Sequence, residues 1–136
     1  LCPCIQKLTK KNIMANALNW FEIPAKNFAR AKSFYENVLD IRIAEMPHPA
    51  FRYGMFPADY EKGEVGGGLV EGEGFEPSEK GSVIYLNGGE DLAAPLSRVE
   101  KAGGKIVLPK TSIGANGFMA HIVDTEGNRI ALHSMK

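Results

Sequence analysis

Two histidines near the end of the chain are the residues best suited to chemistry. His121 lies in the segment FMAHIV (118–123), and His133 lies in the segment NRIALHS (128–134). A neutral imidazole binds metal ions, forms hydrogen bonds and titrates near neutral pH. The two side chains are therefore candidates for a metal site, for contact with a bound ligand, or for a solvated rim. Which of these applies depends on the direction in which each strand faces.

The turn between the two segments predicts that direction. Asp124 and Asn128 flank a three-residue loop that ends in Gly127, which is typical of a type I turn followed by a bulge. Pairing Asp124 with Asn128 divides the two strands into two faces, because side chains alternate across a sheet. One face is apolar and is predicted to pack on helices: Ala120, Ile122, Ile130 and Leu132. The opposite face is predicted to line a cleft: Met119, His121, Ala131 and His133.

The first strand, ALNWFEI (17–23), offers two further cleft candidates. If Ile23 packs against a helix, Trp20 and Glu22 face the cleft. A tryptophan there is suited to stacking on a flat or apolar ligand, and ordinary core packing is the alternative. The predicted ligand-binding residues are therefore Trp20, Glu22, Met119, His121 and His133. No catalytic residue is assigned.

The chain contains an internal repeat. The segments 27–43 and 91–107 align without gaps, and each is predicted to form a helix that begins after a capping residue, Asn27 or Asp91. Gly103 and Gly104 are predicted to end the second helix. The strands predicted around the two helices are 17–23, 41–46, 51–56 and 66–72 in the first half, and 82–87, 105–109, 118–123 and 128–134 in the second.

Composition bounds the organisation of the chain. Its 136 residues, 44% of them hydrophobic, suffice for one domain, and 16 basic residues balance 16 acidic ones. This balance argues against a nucleic-acid partner, and no apolar run approaches the ~20 residues of a membrane span. We expect a disordered tail over 1–16 and a single domain over 17–136, with units 17–72 and 82–134. Met14 is interpreted as the natural start, and the absence of cysteines beyond Cys2 and Cys4 favours a cytoplasmic location.

Three segments resemble a known superfamily. FEIPAKNFARAKSFYENVL (21–39), LSRVEKAGGKIVLPKTSIGANGF (96–118) and IVDTEGNRIAL (122–132) are similar to segments of vicinal oxygen chelate proteins, which include glyoxalase, bleomycin-resistance proteins and extradiol dioxygenases. The resemblance covers 17–134. It implies an α+β fold in which two βαβββ units form a half-open barrel around a cleft, and it implies a homodimer. It also implies a divalent metal, held by one ligand from each of four strands and acting as a Lewis acid.

The sequence departs from the metal ligands of that superfamily. Ala131 stands where the final strand normally supplies a carboxylate, and Ser82 stands where the second half normally offers histidine. Residues 18–20 contain neither histidine nor glutamine, which leaves Glu71 in the fourth strand. The weak candidates for a metal site are Glu22, Glu71, His121 and His133. No cofactor is expected, and a divalent metal is the lesser alternative.

The missing ligands favour a protein that binds a small organic molecule in its cleft without metal chemistry, as bleomycin-resistance members do. The alternative is a metal-dependent lyase, isomerase or dioxygenase of the same superfamily. A third possibility is a subunit whose main role is to dimerise. Whether the protein is an enzyme stays open at the level of sequence, because one fold supports many activities.

Overall fold

The computed structural model describes residues 16–136. Residues 1–15 of the predicted tail, with Cys2, Cys4 and Met14, lie outside the described residues. The first half contains β1 (Trp20–Pro24), α1 (Phe28–Leu39), β2 (Ala44–Met46), β3 (Arg52–Met55), a 3-10 turn (Tyr60–Lys62) and β4 (Gly66–Glu71). The second half contains β5 (Ile84–Asn87), α2 (Ala93–Leu96), β6 (Lys105–Ser112), a 3-10 turn (Gly114–Asn116), β7 (Phe118–Val123) and β8 (Arg129–Ser134).

The two halves fold into matching four-stranded sheets. Their strand orders are β1-β4-β3-β2 and β5-β8-β7-β6, and in each the edge strand that opens the unit runs parallel to its neighbour. Neither sheet closes on itself. The predicted α+β fold of two βαβββ units in a half-open barrel is thereby confirmed.

The sequence of α1 explains its position. The Asn27 side chain caps the helix by accepting a hydrogen bond from the backbone N–H of Arg30 at 3.0 Å. The helix ends at Asp40, whose φ of 55° is left-handed and whose N–H donates to the carbonyl of Glu36. One side of the helix is buried in the core, as its apolar spacing predicted: Phe28, Ala31, Phe34, Tyr35 and Val38.

Several predicted element bounds were wrong; for example, β1 begins at Trp20 and not at 17, and β6 continues to Ser112, beyond the predicted 109. Strand β2 begins at Ala44, after the predicted 41, because the N–H groups of Ile41 and Ile43 donate to Glu36. Regular helix α2 is only one turn, because the N–H groups of Arg98, Val99 and Gly103 bond three residues back, whereas those of Leu96 and Ser97 bond four residues back. Gly103 and Gly104 do end this segment, with Gly103 at φ 103°. No helix within 16–136 has the length and apolarity required to cross a membrane.

The apolar faces of both halves join in one core. Leu69 of β4, Leu92 beside α2 and Val99 are completely buried in the same cluster as the side chains of α1. The predicted apolar face of β7 and β8 also belongs to it, and each member is at most 2% exposed: Ala120, Ile122, Ile130 and Leu132.

Glu126 of the β7–β8 turn fastens the second half to the start of α1. Its Oε1 accepts hydrogen bonds from the backbone N–H groups of Lys26 and Asn27, both at 2.8 Å. Its Oε2 accepts from Arg30 Nε at 2.7 Å. Burial opposes ionisation, but these bonds outweigh it and hold the pKa of Glu126 below its ordinary value.

Two other polar residues of the same turn complete this junction. The hydroxyl of buried Tyr35 donates to Asp124, and Asn128 Nδ2 donates to the carbonyl of Pro24 at 2.8 Å. Burial and the nearby charge of Asp124 raise the pKa of Tyr35 well above its usual value. The turn over 124–128 thus provides polar contacts that join the second half to the end of β1 and the start of α1.

Candidate functional site

The register of β7 and β8 is the one that the turn predicted. Asp124 N–H donates to the carbonyl of Asn128 at 2.9 Å, and Gly127 has φ 97°. His121 therefore pairs with Ala131, and Met119 pairs with His133. Both histidines lie on the face opposite the core, which we call the cleft face.

A tyrosine and a histidine meet over Ala131 on the cleft face of the second sheet. Ala131 of β8 pairs with Tyr85 of β5 on one side and with His121 of β7 on the other. The two larger side chains reach towards each other, with Tyr85 Oη 3.2 Å from His121 Nε2 and the rings edge to face. Ala131 beneath them is completely buried. A larger residue at 131 would hold the two rings apart.

The contacts of His121 define its proton positions. Arg129 Nε lies 3.0 Å from His121 Nδ1, and a guanidinium N–H can only donate. Nδ1 is therefore the acceptor, so the proton of the neutral ring is on Nε2 and is donated to Tyr85 Oη. Burial, and secondly the charge of Arg129, lower the pKa of His121, which keeps the ring neutral at neutral pH.

The hydroxyl proton of Tyr85 is the open end of this chain. Because Tyr85 Oη accepts from His121, its own proton points elsewhere, and within residues 16–136 the hydroxyl has no other hydrogen-bond partner. The Tyr85 side chain is 53% exposed. We call Arg129, His121 and Tyr85 the open chain.

A pocket of about 680 Å³ adjoins the open chain. Its lining combines apolar and polar side chains, among them Tyr85, Asn87, Ile113, Met119, His133 and Met135. His133 Nε2 lies 2.7 Å from the backbone carbonyl of Asn116, which can only accept, so Nε2 carries the proton and Nδ1 of the neutral ring is an acceptor. We call this cavity the His133 pocket.

The first sheet carries a different arrangement on its cleft face. Trp20 Nε1 donates to Tyr53 Oη at 2.9 Å, and Tyr53 Oη donates to Glu22 Oε2 at 2.7 Å. Tyr53 of β3 reaches Glu22 of β1 by passing over Gly68 of β4, where a Cβ atom would lie only 2.2 Å from Tyr53 Oη. Partial burial, and then the bond to Glu22, raise the pKa of Tyr53. We call Trp20, Tyr53 and Glu22 the closed chain.

Three consecutive glycines in β4 make room for rings. The pairing of β1 with β4 continues through Gly66, Gly67 and Gly68 without a shift, so close approach of side chains, not a bulge, explains them. A Cβ at Gly66 would contact Tyr60, and one at Gly67 would contact Phe21.

The structure brings together only some of the predicted site residues. Met119 and His133 line the same pocket, and His121 is connected to it through Tyr85. Trp20 and Glu22 instead bond to Tyr53 in the first sheet.

Glu22 also borders the seam between the two sheets. It lines a small cavity of about 190 Å³ there, together with Arg129.

Sequence reasoning missed Tyr85 and Arg129. The alternation in IYLN, with Ile84 and Leu86 turned to the core, was the available signal for Tyr85. The partners of Tyr85 depend on pairing between strands 46 residues apart in sequence, Tyr85 with Ala131, which no local pattern specifies.

Comparison with known proteins identifies the family. The model of the Glyoxalase/Bleomycin resistance protein/Dioxygenase superfamily matches residues 17–132. The chain belongs to this superfamily. The earlier resemblance is confirmed, and no match was found among curated proteins.

Solved structures of the superfamily share the fold at low identity. A glyoxalase/bleomycin resistance protein from Albidiferax ferrireducens is 13% identical, with TM-score 0.69, and the match covers 89% of this chain and all of that one. A glyoxalase I variant from Zea mays is 20% identical, with TM-score 0.65, over 86% of this chain and 45% of that one. The fosfomycin resistance protein FosX from Listeria monocytogenes is 14% identical, with TM-score 0.62, over 90% and 94%.

The residues present do not fit the divalent metal that the superfamily implies. Glu71 lies on the helix-facing side of β4, where its Oε1 accepts a hydrogen bond from the N–H of Phe28 at 2.7 Å. Both nitrogens of His121 are engaged by Arg129 and Tyr85. Within the described part of the chain, no three His, Cys, Asp or Glu side chains are grouped so that they could hold a metal ion.

Proposed function

We propose that this superfamily member binds a small organic molecule in the His133 pocket and needs no metal ion to do so. The observation that carries the proposal is the pocket itself. Its volume of about 680 Å³ lies within the range of roughly 300–1,000 Å³ that is usual for small-molecule sites. It offers a few polar groups on a largely apolar wall, which is the usual composition of such a site.

The lining favours a flat ligand with a polar edge. Met119 and Met135 supply polarizable thioethers, which adapt to irregular shapes and contact aromatic rings favourably. His133 and Asn87 supply hydrogen bonds. Two of the similar structures are described as a glyoxalase/bleomycin resistance protein and as a fosfomycin resistance protein, which supports the idea that this chain also binds a small drug-like compound.

The test uses the methionine methyl groups as reporters. Protein labelled with ¹³C at the methionine methyls is titrated with 4-nitrophenol and other small aromatic fragments. We expect saturable shifts of the Met119 and Met135 methyl resonances, while those of Met46 and Met55, which lie in the first half and do not line the pocket, stay in place. Titrations that leave Met119 and Met135 unmoved would overturn the proposal.

His133→Ala sharpens the same test. Loss of one hydrogen bond should weaken probe binding by about 1 kcal/mol and leave the free energy of unfolding nearly unchanged, because His133 lies at the pocket and outside the core. His48→Ala is the matched control, since His48 is an exposed histidine of the first half. Equal probe affinities in the two variants would remove His133 from the binding site.

A metal-dependent lyase, isomerase or dioxygenase is the competing function. We propose that protein purified without chelators carries substoichiometric Zn, Ni, Mn or Fe and lacks lactoylglutathione lyase activity. Elemental analysis and the lyase assay test this. One tightly bound metal per chain on His121 or His133 would favour the enzyme.

Assembly and location are proposals of the same kind. A homodimer, measurable by sedimentation equilibrium, follows from the superfamily resemblance, and a cytoplasmic location follows from the cysteine usage. Monomers across the accessible concentration range would contradict the first.

A further inference from the structure

We infer that the Tyr85 hydroxyl is a preorganised hydrogen-bond donor for an acidic oxygen of the ligand, such as a phenolate, an enolate or a carboxylate. This inference rests on the proposed function, because it concerns a ligand in the His133 pocket. It assigns the recognition of the ligand oxygen to a tyrosine and two supporting side chains.

The directions of the hydrogen bonds from Arg129 to Tyr85 make the Tyr85 hydroxyl available as a donor. Arg129 can only donate, which forces Nδ1 of His121 to accept and places the ring proton on Nε2. That proton is directed at Tyr85 Oη, 3.2 Å away. With its oxygen already accepting a bond, Tyr85 presents its proton outward. Its hydroxyl is therefore poised as a donor before a ligand arrives, which avoids the cost of reorienting it.

The positive charge of Arg129 also favours an anionic ligand oxygen. Arg129 places a positive charge behind His121, and successive hydrogen bonds in such a chain polarise one another. No residue that lines the His133 pocket is acidic, so nothing on its wall repels an anionic oxygen. A donor backed by a cation favours an ionised acceptor over its neutral form, because hydrogen bonds to charged oxygens are the stronger ones.

Tyr85 is also close enough to His133 to contact the same ligand. Tyr85 pairs with Ala131, and the next pair on the same face is Asn87 with His133. Tyr85 and His133 are thus diagonal neighbours, about 7–8 Å apart along the sheet. Both line the same pocket, so a ligand bound beside His133 and Met119 is within reach of the Tyr85 hydroxyl. Arg129 and His121 act through Tyr85 and are positioning residues.

The experiment measures the ionisation of bound 4-nitrophenol by its visible absorption, with the Met119 methyl resonance as an independent report of binding. We expect the wild-type protein to bind the phenolate about tenfold more tightly than the phenol, the effect of one hydrogen bond to a charged oxygen. Tyr85→Phe should still bind the probe but lose this preference. Tyr60→Phe is the matched control, because Tyr60 is equally exposed and lies outside the pocket.

The positioning role has its own readout. Arg129→Gln should reduce the phenolate preference several-fold while the Met119 resonance still shifts on binding, and Arg129→Lys, which keeps the charge, should restore part of it.

The outcomes separate the two proposals. Binding at Met119 with equal phenolate preference in wild-type protein and Tyr85→Phe would overturn this inference and leave the proposed function standing. No binding at Met119 would overturn the proposed function and the inference with it.

Discussion

On its cleft face, each sheet carries a tyrosine that lies across a small residue and bonds to a side chain beyond it, but the two arrangements end differently. In the first sheet, Glu22 on the edge strand pairs with Gly68 of the neighbouring strand; in the second, Tyr85 pairs with Ala131 at the corresponding place. In each case a tyrosine passes over the small residue of the middle strand and bonds to a side chain on the far side. The two arrangements run in opposite directions, because the tyrosine lies on the inner strand β3 in the first sheet and on the edge strand β5 in the second.

The difference lies in how each chain of hydrogen bonds ends. The closed chain runs from the indole N–H of Trp20 through Tyr53 to the carboxylate of Glu22, so every proton has an acceptor inside the protein. The open chain starts at the guanidinium of Arg129 and ends at the Tyr85 hydroxyl, which has no second hydrogen-bond partner within residues 16–136. We conclude that the first sheet uses its polar crossing for packing, whereas the second presents one to the pocket.

Separating the two sheets has the largest expected effect. Glu126→Ala removes the acceptor of two backbone N–H groups and of Arg30, and it leaves the N–H groups at the start of α1 unpaired. We expect a loss of about 3 kcal/mol in the free energy of unfolding, measured by urea titration at pH 7. Glu100→Ala, at an exposed position, is the control. A loss no greater than that of the control would mean that the turn does not hold the sheets together.

The stability that is lost in Glu126→Ala should depend on pH. The folded-state pKa of Glu126 lies below the ordinary value of 4.5, so its stabilisation is complete above that pH and is lost as pH falls through the lower folded value. The difference in stability between wild-type protein and Glu126→Ala should shrink below pH 4.5. A difference that grows on acidification would contradict the assignment.

Adding a methyl group at Gly68, beneath Tyr53 of the closed chain, should have the next largest effect on stability. Gly68→Ala places a Cβ 2.2 Å from Tyr53 Oη, which must move and release Trp20 and Glu22. The expected cost is about 2 kcal/mol, typical of an overpacked site. In a Tyr53→Ala background the same substitution should cost much less, which a double-mutant cycle by urea unfolding measures. Equal costs in both backgrounds would show that Tyr53 is not the obstacle.

Enlarging Ala131, beneath Tyr85 and His121 of the open chain, should destabilise the protein less. Ala131→Val pushes Tyr85 and His121 apart, but Tyr85 is half exposed and can rotate into solvent. We expect about 1 kcal/mol of destabilisation together with loss of the phenolate preference. Ala131→Gly, which leaves the crossing free, serves as the comparison for ligand binding. Retention of the preference in Ala131→Val would show that the contact between Tyr85 and His121 is not needed.

The sequence could predict what local patterns determine. The spacing of apolar residues located α1, and the loop ending in Gly127 specified the register that puts His121 and His133 on the cleft face. The sequence overestimated the length of α2, because bonds to the residue three positions back replace regular helix from Arg98 onward.

The open chain was beyond prediction for a physical reason. It depends on the parallel pairing of β5 with β8 and on an arginine whose long side chain has no preferred direction in the sequence. The position of Glu71 could not be predicted for a similar reason. Its partner is the backbone N–H of Phe28, a donor that has no acceptor within α1 and is satisfied by this tertiary contact.

The most direct test compares two hydroxyl deletions in parallel, Tyr53→Phe and Tyr85→Phe, by urea unfolding and by 4-nitrophenolate binding. Tyr53→Phe should lower the free energy of unfolding by about 1 kcal/mol, because Trp20 and Glu22 lose their partner, and should leave probe affinity unchanged. Tyr85→Phe should change stability by less than about 0.5 kcal/mol and weaken phenolate binding about tenfold. The same loss of stability and the same probe affinity in both variants would contradict the distinction between a closed and an open chain.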